Sequence, residues 1–428
     1  MPYEQASGDG PDATKRPGFS TRAIRAAHRI PPVDQRPTSV PIYQTVTFSS
    51  DDAEELGAVL TGRIPGYAYS RIDNPTVSAL AAAVADLEGA DAGFALATGM
   101  AAIHAAILSV VSTGDRIVAT RAAYGTTRAQ LSGILTRLGV TTEFVDVTDL
   151  AAVEAALSAG PTRILYAETI ANPTIVVADH VALAELAHRH GALYVVDNTF
   201  ASPYLCRPIE LGADLVVESA TKYLSGHSDV LAGVVVGRRE LIDAVAALEV
   251  DTGAALAPHS AFLVLRGIST LAIRLERESA TATLLAAWLE RQDGVEGVFY
   301  PALASHPQHA VARRELSLGG GMLAFELAGG RAAGEAFIDA LSIAELTASL
   351  GGVFTIVSHP PSTTHRQLDD DALAEAGIAP GLLRCSVGLE DADDLIADFE
   401  NALAAARAAA TTSSAERSSI PGLAPTTV

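Results

Sequence analysis

The fold is decided by two nearby stretches, Leu193-Tyr-Val-Val-Asp-Asn-Thr-Phe200 and Leu215-Val-Val-Glu-Ser-Ala-Thr-Lys-Tyr-Leu-Ser-Gly-His227. Each begins with a short apolar run that has the length of a buried strand. The polar residues that follow these runs are Asp197, Ser219, Thr221 and Lys222. In open α/β sheets, ligands bind at the carboxyl ends of the strands. The two stretches therefore predict a ligand site at one edge of a sheet.

The sequence around these stretches alternates between strand-like and helix-like segments. Further strands are predicted at residues 92–96, 115–120, 142–145, 163–167 and 232–236, with helices between them. One helix is predicted to begin beside Pro75, capped by Asn74 or Thr76, and to stop at Gly89. Others are predicted to begin at Thr98 and to run from Gly125 to Leu138. This alternation is typical of an α/β fold with a mostly parallel, doubly wound sheet. It stops near residue 257, where a long helix from Ser260 to about Arg291 leads into a smaller α/β unit. That unit has strands predicted near 295–300 and 322–327 and helices near 334–341 and 391–408.

Four parts of the chain follow from this pattern. An N-terminal arm covers 1–65, with about the first 16 residues disordered. A large ligand-binding domain covers 66–257, and a smaller C-terminal domain covers 258–408. Residues 409–428 lack periodicity, which predicts a disordered tail.

The bulk composition excludes several classes of protein. The 428-residue chain is 49% hydrophobic, which is ample for a large core. It has 50 acidic and 29 basic residues, a net charge of −21, which argues against nucleic acid or an anionic membrane as a partner. The two cysteines, Cys206 and Cys385, lack the spacing of a disulfide framework or a zinc site, so no metal is predicted. Without a secretory signal pattern or a membrane-length apolar run, the sequence predicts a soluble cytoplasmic protein.

Lys222 and Asp197 suit a cofactor with an aldehyde, a basic ring nitrogen and a phosphate. A desolvated lysine can lose its proton near neutral pH and act as a nucleophile. An aspartate at the neighbouring strand end can keep a ring nitrogen protonated. Pyridoxal phosphate (PLP) has these groups, and its protein signature is a Schiff-base lysine with an aspartate partner. Each residue alone also fits a surface lysine or a turn cap, whereas the pair at successive strand ends favours the cofactor.

Other residues at the same sheet edge fit the rest of PLP. Gly99 and Met100 begin an apolar helix and can offer backbone N–H groups to a phosphate, while Ser219 and Thr221 can offer hydroxyls. The remaining candidates at this edge are Tyr124, Glu168 and Asn172. The tyrosine can stack on the pyridine ring and pass protons, and the asparagine can hydrogen-bond the ring hydroxyl.

With these motifs, the chain resembles the Cys/Met-metabolism family of PLP enzymes, which includes cystathionine γ-synthases, cystathionine and methionine γ-lyases and O-acylhomoserine sulfhydrylases. The resemblance covers residues 21–404, approximately. Its most specific part is Asp197-Asn-Thr-Phe-Ala-Ser-Pro-Tyr204 with Glu218-Ser-Ala-Thr-Lys-Tyr-Leu-Ser-Gly-His-Ser-Asp229. The other matching motifs are Tyr69-Ser-Arg71, Asn74-Pro-Thr76, Thr98-Gly-Met-Ala-Ala102, Glu168 with Asn172-Pro173, Ser305-His-Pro-Gln-His309, Ser349-Leu-Gly-Gly352 and Arg384-Cys-Ser-Val-Gly-Leu-Glu-Asp391.

The resemblance implies the type I, aspartate aminotransferase-like fold and a homotetramer of dimers whose active sites are shared. It makes Lys222 the Schiff-base lysine and Asp197 the partner of the pyridinium. The implied phosphate ligands are Gly99, Met100, Ser219 and Thr221, with Tyr69 and Arg71 reaching in from the neighbouring subunit. Tyr124 matches the stacking tyrosine that assists the leaving group, while Arg384, helped by Ser349, matches the arginine that binds the substrate α-carboxylate.

The implied reaction is γ-elimination or γ-replacement on an amino acid. A methionine γ-lyase type of lyase is the leading interpretation, and it releases a thiol, ammonia and 2-oxobutyrate. The alternatives are a γ-replacing transferase (an O-acylhomoserine sulfhydrylase or cystathionine γ-synthase) and a cystathionine γ-lyase. An aminotransferase on the same fold and a non-enzymatic PLP-binding protein are further rivals.

Three positions depart from the family pattern. Ala68 stands where cystathionine-handling members usually have an acid, Phe354 where many members have Glu, and Thr126 where methionine γ-lyases have Cys. If Ala68 and Phe354 line the distal pocket, that pocket is more apolar than usual, which favours methionine or an O-acylhomoserine over cystathionine. Neutral drift at both positions is the alternative.

Overall fold

The computed structural model describes residues 37–363, 373 and 377–418. The predicted disordered start and residues 419–428 of the predicted tail lie outside these residues. The described chain from Ile42 onward belongs to one compact unit, and residues 37–41 belong to a separate one. Both sheets lie in the first of these, so the division into domains at residues 257 and 258 stays a prediction.

A seven-stranded sheet forms the larger layer, with the strand order β1-β7-β6-β5-β4-β2-β3. Its strands are β1 (Ala92–Leu96), β2 (Arg116–Thr120), β3 (Thr141–Val145), β4 (Ile164–Glu168), β5 (Leu193–Asp197), β6 (Leu215–Glu218) and β7 (Gly233–Gly237). Strands β2 to β6 pair in parallel, and β7 is antiparallel to both β1 and β6. The predicted mostly parallel sheet is confirmed.

Helices cover both faces of this sheet, which explains why its central strands β4, β6 and β7 are buried and largely apolar, whereas the edge strand β3 is partly exposed. The helices of this part are α1 (Ala53–Leu60), α2 (Pro75–Glu88), α3 (Gly99–Leu108), α4 (Gly125–Ala129), α5 (Leu135–Arg137), α6 (Leu150–Ser158), α7 (His180–Arg189), α8 (Ser202–Leu205) and α9 (Arg239–Thr252). In β6 the side chains alternate between two cores. Val216 packs into one hydrophobic cluster, and Leu215 and Val217 pack into the cluster on the opposite face.

Local signals in the sequence begin and end the helices as predicted. Asn74 caps α2, because its Oδ1 accepts a hydrogen bond from the Thr76 N–H at 3.0 Å, and Pro75 occupies the first helical position. Gly89 ends the same helix in the left-handed conformation, with φ of 73°. Thr98 caps α3 in the same way as Asn74 caps α2.

A five-stranded sheet forms the second layer, with the order β10-β11-β12-β9-β8. Its strands are β8 (Val295–Phe299), β9 (Met322–Leu327), β10 (Glu345–Leu346), β11 (Ile356–Ser358) and β12 (Leu382–Ser386). The accompanying helices are α10 (Pro258–Ile268), α11 (Leu271–Leu289), α12 (His309–Glu315), α13 (Gly330–Asp339) and α14 (Ala392–Ser418). Only β8 and β9 were expected from the sequence. The other three strands are short or lie beside irregular loops that carry no clear period.

The structure differs from three of the predicted helices. The helix expected from Gly125 to Leu138 has the expected bounds to within one residue but contains a π-helical segment at Gln130–Ile134, which apolar spacing does not reveal. The long helix expected from Ser260 is two helices, because a turn at Ser269-Thr270 separates α10 from α11. The last helix continues to Ser418 instead of ending near residue 408. Its extension begins with alanines, which favour helix strongly.

Within the described chain, none of the helices combines the length and the apolar character that a membrane span requires. The cytoplasmic location stays a prediction.

Candidate active site

A cavity of about 630 Å³ lies at the carboxyl ends of β4, β5 and β6, beside the start of α3. Residues 348–350 and Arg384, from the part of the chain that carries the smaller sheet, contribute to its lining. The predicted site residues that line it are Gly99, Met100, Tyr124, Glu168, Asn172, Asp197, Ser219, Thr221, Lys222, Ser349 and Arg384. The cavity therefore brings together polar groups that lie as much as about 280 positions apart in the sequence.

The start of α3 forms one end of the cavity. Thr98 caps the helix, because its Oγ1 accepts a hydrogen bond from the Ala101 N–H at 3.0 Å. The N–H groups of Gly99 and Met100 lie at the helix start, where anions bind. Gly99 approaches Ser219 so closely that a Cβ atom at Gly99 would lie 2.6 Å from Ser219 Oγ. Only glycine fits there. The Thr221 hydroxyl hydrogen-bonds the backbone of Ala232, at 3.0 Å as acceptor and 3.2 Å as donor.

Lys222 occupies the middle of the cavity. Its Nζ donates a hydrogen bond to Ser349 Oγ at 2.8 Å. Burial and the nearby Arg384 guanidinium lower the pKa of Lys222 to about 8. A larger fraction of this amine is therefore neutral and nucleophilic near pH 7 than of an ordinary lysine.

Asp197 ends β5 opposite Glu168, its register partner at the end of β4. The Thr199 N–H donates to Asp197 Oδ1 at 3.0 Å. The fully buried Tyr166 lies two residues before Glu168 on the same face of the sheet, and its hydroxyl faces the Asp197 carboxyl. Burial raises the pKa of Asp197, and among the described residues no lysine or arginine forms an ion pair with it.

Glu168 holds two loops of the cavity in place. Its Oε1 accepts a hydrogen bond from the Tyr124 N–H at 2.6 Å, and its Oε2 accepts one from the Asn172 N–H at 3.3 Å. Burial, with a smaller effect from the Asp197 charge, raises the pKa of Glu168 well above its usual value. The carboxyl thus orders the backbone on which two candidate cofactor contacts are carried.

Arg384 lies on β12, and its guanidinium reaches the cavity. Nη1 donates to Asn172 Oδ1 at 2.9 Å, and Nη2 donates to the Ser349 carbonyl at 2.8 Å. Its buried Nε finds no acceptor in the described structure. Burial lowers the pKa of Arg384 to about 10, which still leaves it a cation at neutral pH. A fixed, planar cation of this kind suits recognition of a carboxylate.

Two of the predicted site residues lie outside the cavity of the single chain. Tyr69 is 40% exposed, and the Arg71 guanidinium lies 5.7 Å from the centre of the Tyr69 ring. Arg71 also hydrogen-bonds the Val250 carbonyl. Of the three positions that depart from the family pattern, Thr126 lines the cavity, whereas Ala68 and Phe354 are not among its described lining residues.

Sequence reasoning missed three residues of the site. Thr199 receives a hydrogen bond on its Oγ1 from the Ser219 N–H at 2.9 Å, which links the two polar strand ends. Its position two residues after Asp197 in the sequence could have indicated that Thr199 belongs to the site. Tyr166 is a β-strand aromatic whose role depends on the pairing of β4 with β5. Leu231 lines the cavity although it is 64% exposed, and no pattern in the sequence marks it.

The residues present fit PLP. The helix start with its glycine-only contact suits the phosphate, and the nearby hydroxyls add donors. Asp197 is a half-buried acid that lines the cavity and has no lysine or arginine partner in the described chain, so it is available to a pyridinium nitrogen. The amine with a lowered pKa suits the aldehyde.

Comparisons with known proteins agree with this site. The family model described as "Cys/Met metabolism PLP-dependent enzyme" matches residues 20–404. An L-methionine γ-lyase of Pseudomonas putida is 47% identical over 396 residues, which are 92% of this chain and 99% of that protein. An O-succinylhomoserine sulfhydrylase of Pseudomonas aeruginosa is 41% identical and covers 90% of this chain and 95% of its own length.

Among solved structures, a putative O-acetylhomoserine (thiol)-lyase of Campylobacter jejuni matches with a TM-score of 0.82 and 31% identity. The match covers 87% of this chain and 96% of that one, and that structure contains a pyridoxyl-lysine phosphate. The predicted type I fold is confirmed by this agreement.

Proposed function

The chain belongs to the Cys/Met metabolism family of PLP-dependent enzymes, and we propose that it is a carbon–sulfur lyase of the methionine γ-lyase type. Its substrate would be a sulfur amino acid, and its products would be a thiol, ammonia and 2-oxobutyrate. The meeting of Lys222, Tyr124 and Arg384 in one cavity carries the proposal of γ-elimination chemistry. The 47% identity to an L-methionine γ-lyase favours the lyase over the transferase.

Cofactor binding would use most of the cavity wall. We assign the phosphate to the N–H groups of Gly99 and Met100 and to the hydroxyls of Ser219 and Thr221. Asp197 would hold the ring nitrogen, Asn172 the ring hydroxyl, and Tyr124 one face of the ring. Lys222 would hold the aldehyde carbon covalently. PLP, when bound, supplies an electron sink for the negative charge that develops on the substrate α-carbon.

The chain's own side chains would bind the substrate and move protons. Arg384 binds the α-carboxylate and so orients the amino acid. The amine of Lys222, released when the substrate amine takes its place, would take the α-proton and pass it to the former aldehyde carbon. Neutral again, it would then take a β-proton, in keeping with its lowered pKa. The Tyr124 hydroxyl gives its proton to the sulfur as the Cγ–S bond breaks, so the sulfur leaves as a neutral thiol. Water then releases ammonia and the 2-oxo acid.

A γ-replacing transferase is the second candidate, and the sulfhydrylase among the relatives favours keeping it. In that reaction a thiol adds at the γ-carbon after the original group has left. The same lysine, tyrosine and arginine serve both reactions, because the two differ only after the leaving group departs.

The active enzyme would be a homotetramer built from dimers with shared sites. In one chain, the described cations that line the cavity are Lys222 and Arg384. Both are engaged by Ser349: the Lys222 amine donates a hydrogen bond to its Oγ, and the Arg384 guanidinium donates one to its carbonyl. Tyr69 and Arg71 lie on the surface of the same chain. A neighbouring copy that brings these two residues to the phosphate would supply the missing cation.

A substrate panel tests the function. The purified holoenzyme is incubated separately with L-methionine, L-homocysteine, L-cystathionine and O-acetyl- or O-succinylhomoserine, each with and without sulfide. We expect 2-oxobutyrate and a thiol from methionine or homocysteine without sulfide. Product from an acylated homoserine only when sulfide is present would identify a transferase and overturn the lyase assignment.

Two controls separate the remaining rivals. An aminotransferase would convert the bound cofactor to pyridoxamine phosphate in the presence of an amino acid, and we expect none. Lys222→Ala should remove both turnover and the covalent PLP adduct that borohydride reduction and mass spectrometry detect in the wild type. Retained turnover in this variant would exclude the proposed chemistry.

A further inference from the structure

Glu88 and Glu218 are two buried carboxyls that face each other behind the cavity. Glu88 is the last residue of α2 and Glu218 the last of β6, and they are 0% and 1% exposed. The two carboxyl groups are close enough that each affects the pKa of the other. Glu88 Oε2 and Glu218 Oε1 find no donor among the described residues. Ionised carboxylates only accept hydrogen bonds, so a proton between the two is what satisfies both oxygens.

The surroundings of the pair disfavour two negative charges. Burial has the largest effect, and it raises the pKa of Glu88 to about 7 and that of Glu218 well above its usual value. Glu88 also lies at the C-terminal end of a 14-residue helix, where the helix dipole repels anions. The charged and titratable groups that face the pair are Arg207, Glu210, Cys206 and Asp197. Only Arg207 among them is a cation.

A chain of hydrogen bonds connects the pair to both ends of the cofactor site. Asn198, which follows Asp197 in the chain, donates from Nδ2 to Glu88 Oε1 at 2.8 Å. Glu218 directly precedes Ser219, whose N–H donates to Thr199 Oγ1 at 2.9 Å. The Thr199 N–H in turn donates to Asp197 Oδ1 at 3.0 Å.

These contacts form a closed ring that runs from the strand end at Asp197 through the acid pair to the strand end at Ser219. At each strand end the backbone joins neighbouring residues of the ring, and Thr199 connects Ser219 to Asp197 through its own two hydrogen bonds. The pairing of β5 with β6, including the Asn198 N–H bond to the Val217 carbonyl at 2.9 Å, sets the spacing between the two strand ends, and the contact between the two carboxyls adds to it.

We propose that Glu88 and Glu218 share one proton, and that this pair is a positioning element that holds the pyridinium partner Asp197 and the phosphate contact Ser219 at a fixed separation. Loss of the shared proton places two like charges side by side in a buried site. Their repulsion pushes β6 away from α2 and moves Ser219 relative to Asp197. The pair thereby sets an alkaline limit for retention of PLP.

The test compares holoenzymes of four proteins: the wild type, Glu218→Gln, Glu88→Gln and a control, Glu185→Gln, which makes the matched change at an exposed glutamate. A glutamine amide donates where the shared proton stood, so each of the first two variants keeps the bridge without a titrating proton. Release of PLP is followed between pH 6 and pH 9 after rapid dilution, with the infrared C=O stretch of protonated carboxyl groups measured on the same samples. These pH values are chosen to lie roughly one to two units around the raised pKa of Glu88.

Because the Lys222 amine also titrates in this range, release is compared as the ratio of the wild-type rate to the Glu218→Gln rate at each pH. We expect this ratio to rise about tenfold from about pH 6 to about pH 9, which corresponds to one pKa unit of interaction. Glu185→Gln should follow the wild type at every pH. The wild type should also show a carboxylic acid band that Glu218→Gln lacks. Burial raises the pKa of Glu168 and Glu278 as well, so the difference between the two proteins is the diagnostic signal.

Either of two results would overturn the proposal. One is that the infrared spectra of the wild type and of Glu218→Gln contain the same carboxylic acid band. The other is the same pH dependence of PLP release in both proteins. If Glu218→Gln fails to fold, Glu88→Gln gives the same comparison from the other side of the pair.

Discussion

The Nζ atom of Lys222 and the Oγ atom of Ser349 are 2.8 Å apart, although 127 positions separate them in the chain and they belong to regions that carry different sheets. The carbonyl of the same serine accepts a hydrogen bond from Arg384 at 2.8 Å. Ser349 thus connects the proposed nucleophile to the proposed carboxylate-binding residue. A change in the position of this serine alters the chemical and the substrate-binding ends of the site together.

Ser349→Ala should lower kcat/KM because it removes the hydrogen bond that orients the Lys222 amine. A hydrogen bond of this kind contributes about 0.5–1.5 kcal/mol, so the expected loss is roughly two- to tenfold. PLP content, measured by absorbance, should remain at the wild-type level. Ser132→Ala, at an exposed helix position, is the matched control and should retain full activity. Unchanged kinetics of Ser349→Ala would show that the contact does not position the lysine.

The pKa of Lys222 makes covalent capture of PLP by the apoenzyme depend on pH. Only the neutral amine attacks the aldehyde, so the capture rate should rise with pH and level off above about 8. Because the folded chain holds this proton less tightly than an ordinary lysine, apoenzyme stability should also rise with pH between about 8 and 10.5.

Arg384→Gln removes the cation that helps to lower this pKa, and the midpoint of the capture profile should therefore move to higher pH. Stopped-flow absorbance measures both profiles. Arg128→Gln removes a half-buried cation that lies over the Phe144 ring, and it should leave the midpoint in place. A midpoint near 10 in the wild type would mean that burial does not affect the lysine as the structure indicates.

Arg384→Lys should raise KM for the amino acid far more than it changes PLP binding. The guanidinium is held by Asn172 and by the Ser349 carbonyl, which fixes its plane. A lysine ammonium lacks the planar fork of N–H donors that binds both oxygens of a carboxylate. Charge-assisted hydrogen bonds contribute about 1.5–3 kcal/mol, so kcat/KM should fall about 10- to 150-fold. Steady-state kinetics with methionine give KM and kcat separately. An equal loss in kcat at unchanged KM would assign Arg384 to the chemical step instead.

Much of the large sheet followed from the sequence because short apolar runs and glycine stops specify strands and helices locally. The runs ending at Asp197 and Glu218 were located to the residue. The cavity brings Lys222, Asp197 and Arg384 together, as the strand-end argument and the family resemblance had led us to expect. The π-helical segment and the break between α10 and α11 were missed, since the apolar spacing of the sequence continues through both.

The rest of the site depends on contacts that no local pattern records. Tyr166 faces Asp197 only because β4 and β5 pair in a particular register, with Glu168 opposite Asp197. Glu88 and Glu218 are 130 positions apart, and each alone is an ordinary acid at the end of a helix or strand. Tertiary structure makes them a pair.

A mixture of two inactive variants tests the shared active site that we propose. Arg71→Ala should lose PLP affinity, and Lys222→Ala should lose covalent capture. If Arg71 serves the neighbouring subunit, mixed dimers contain one site with both residues intact. Random mixing makes half of the dimers hybrid with one good site of two, so co-expression should restore about one quarter of wild-type activity. Arg384 lines the cavity of its own chain with Lys222, and mixing Lys222→Ala with Arg384→Ala should therefore restore nothing. Absence of recovery in the first mixture would place Arg71 outside the neighbour's site.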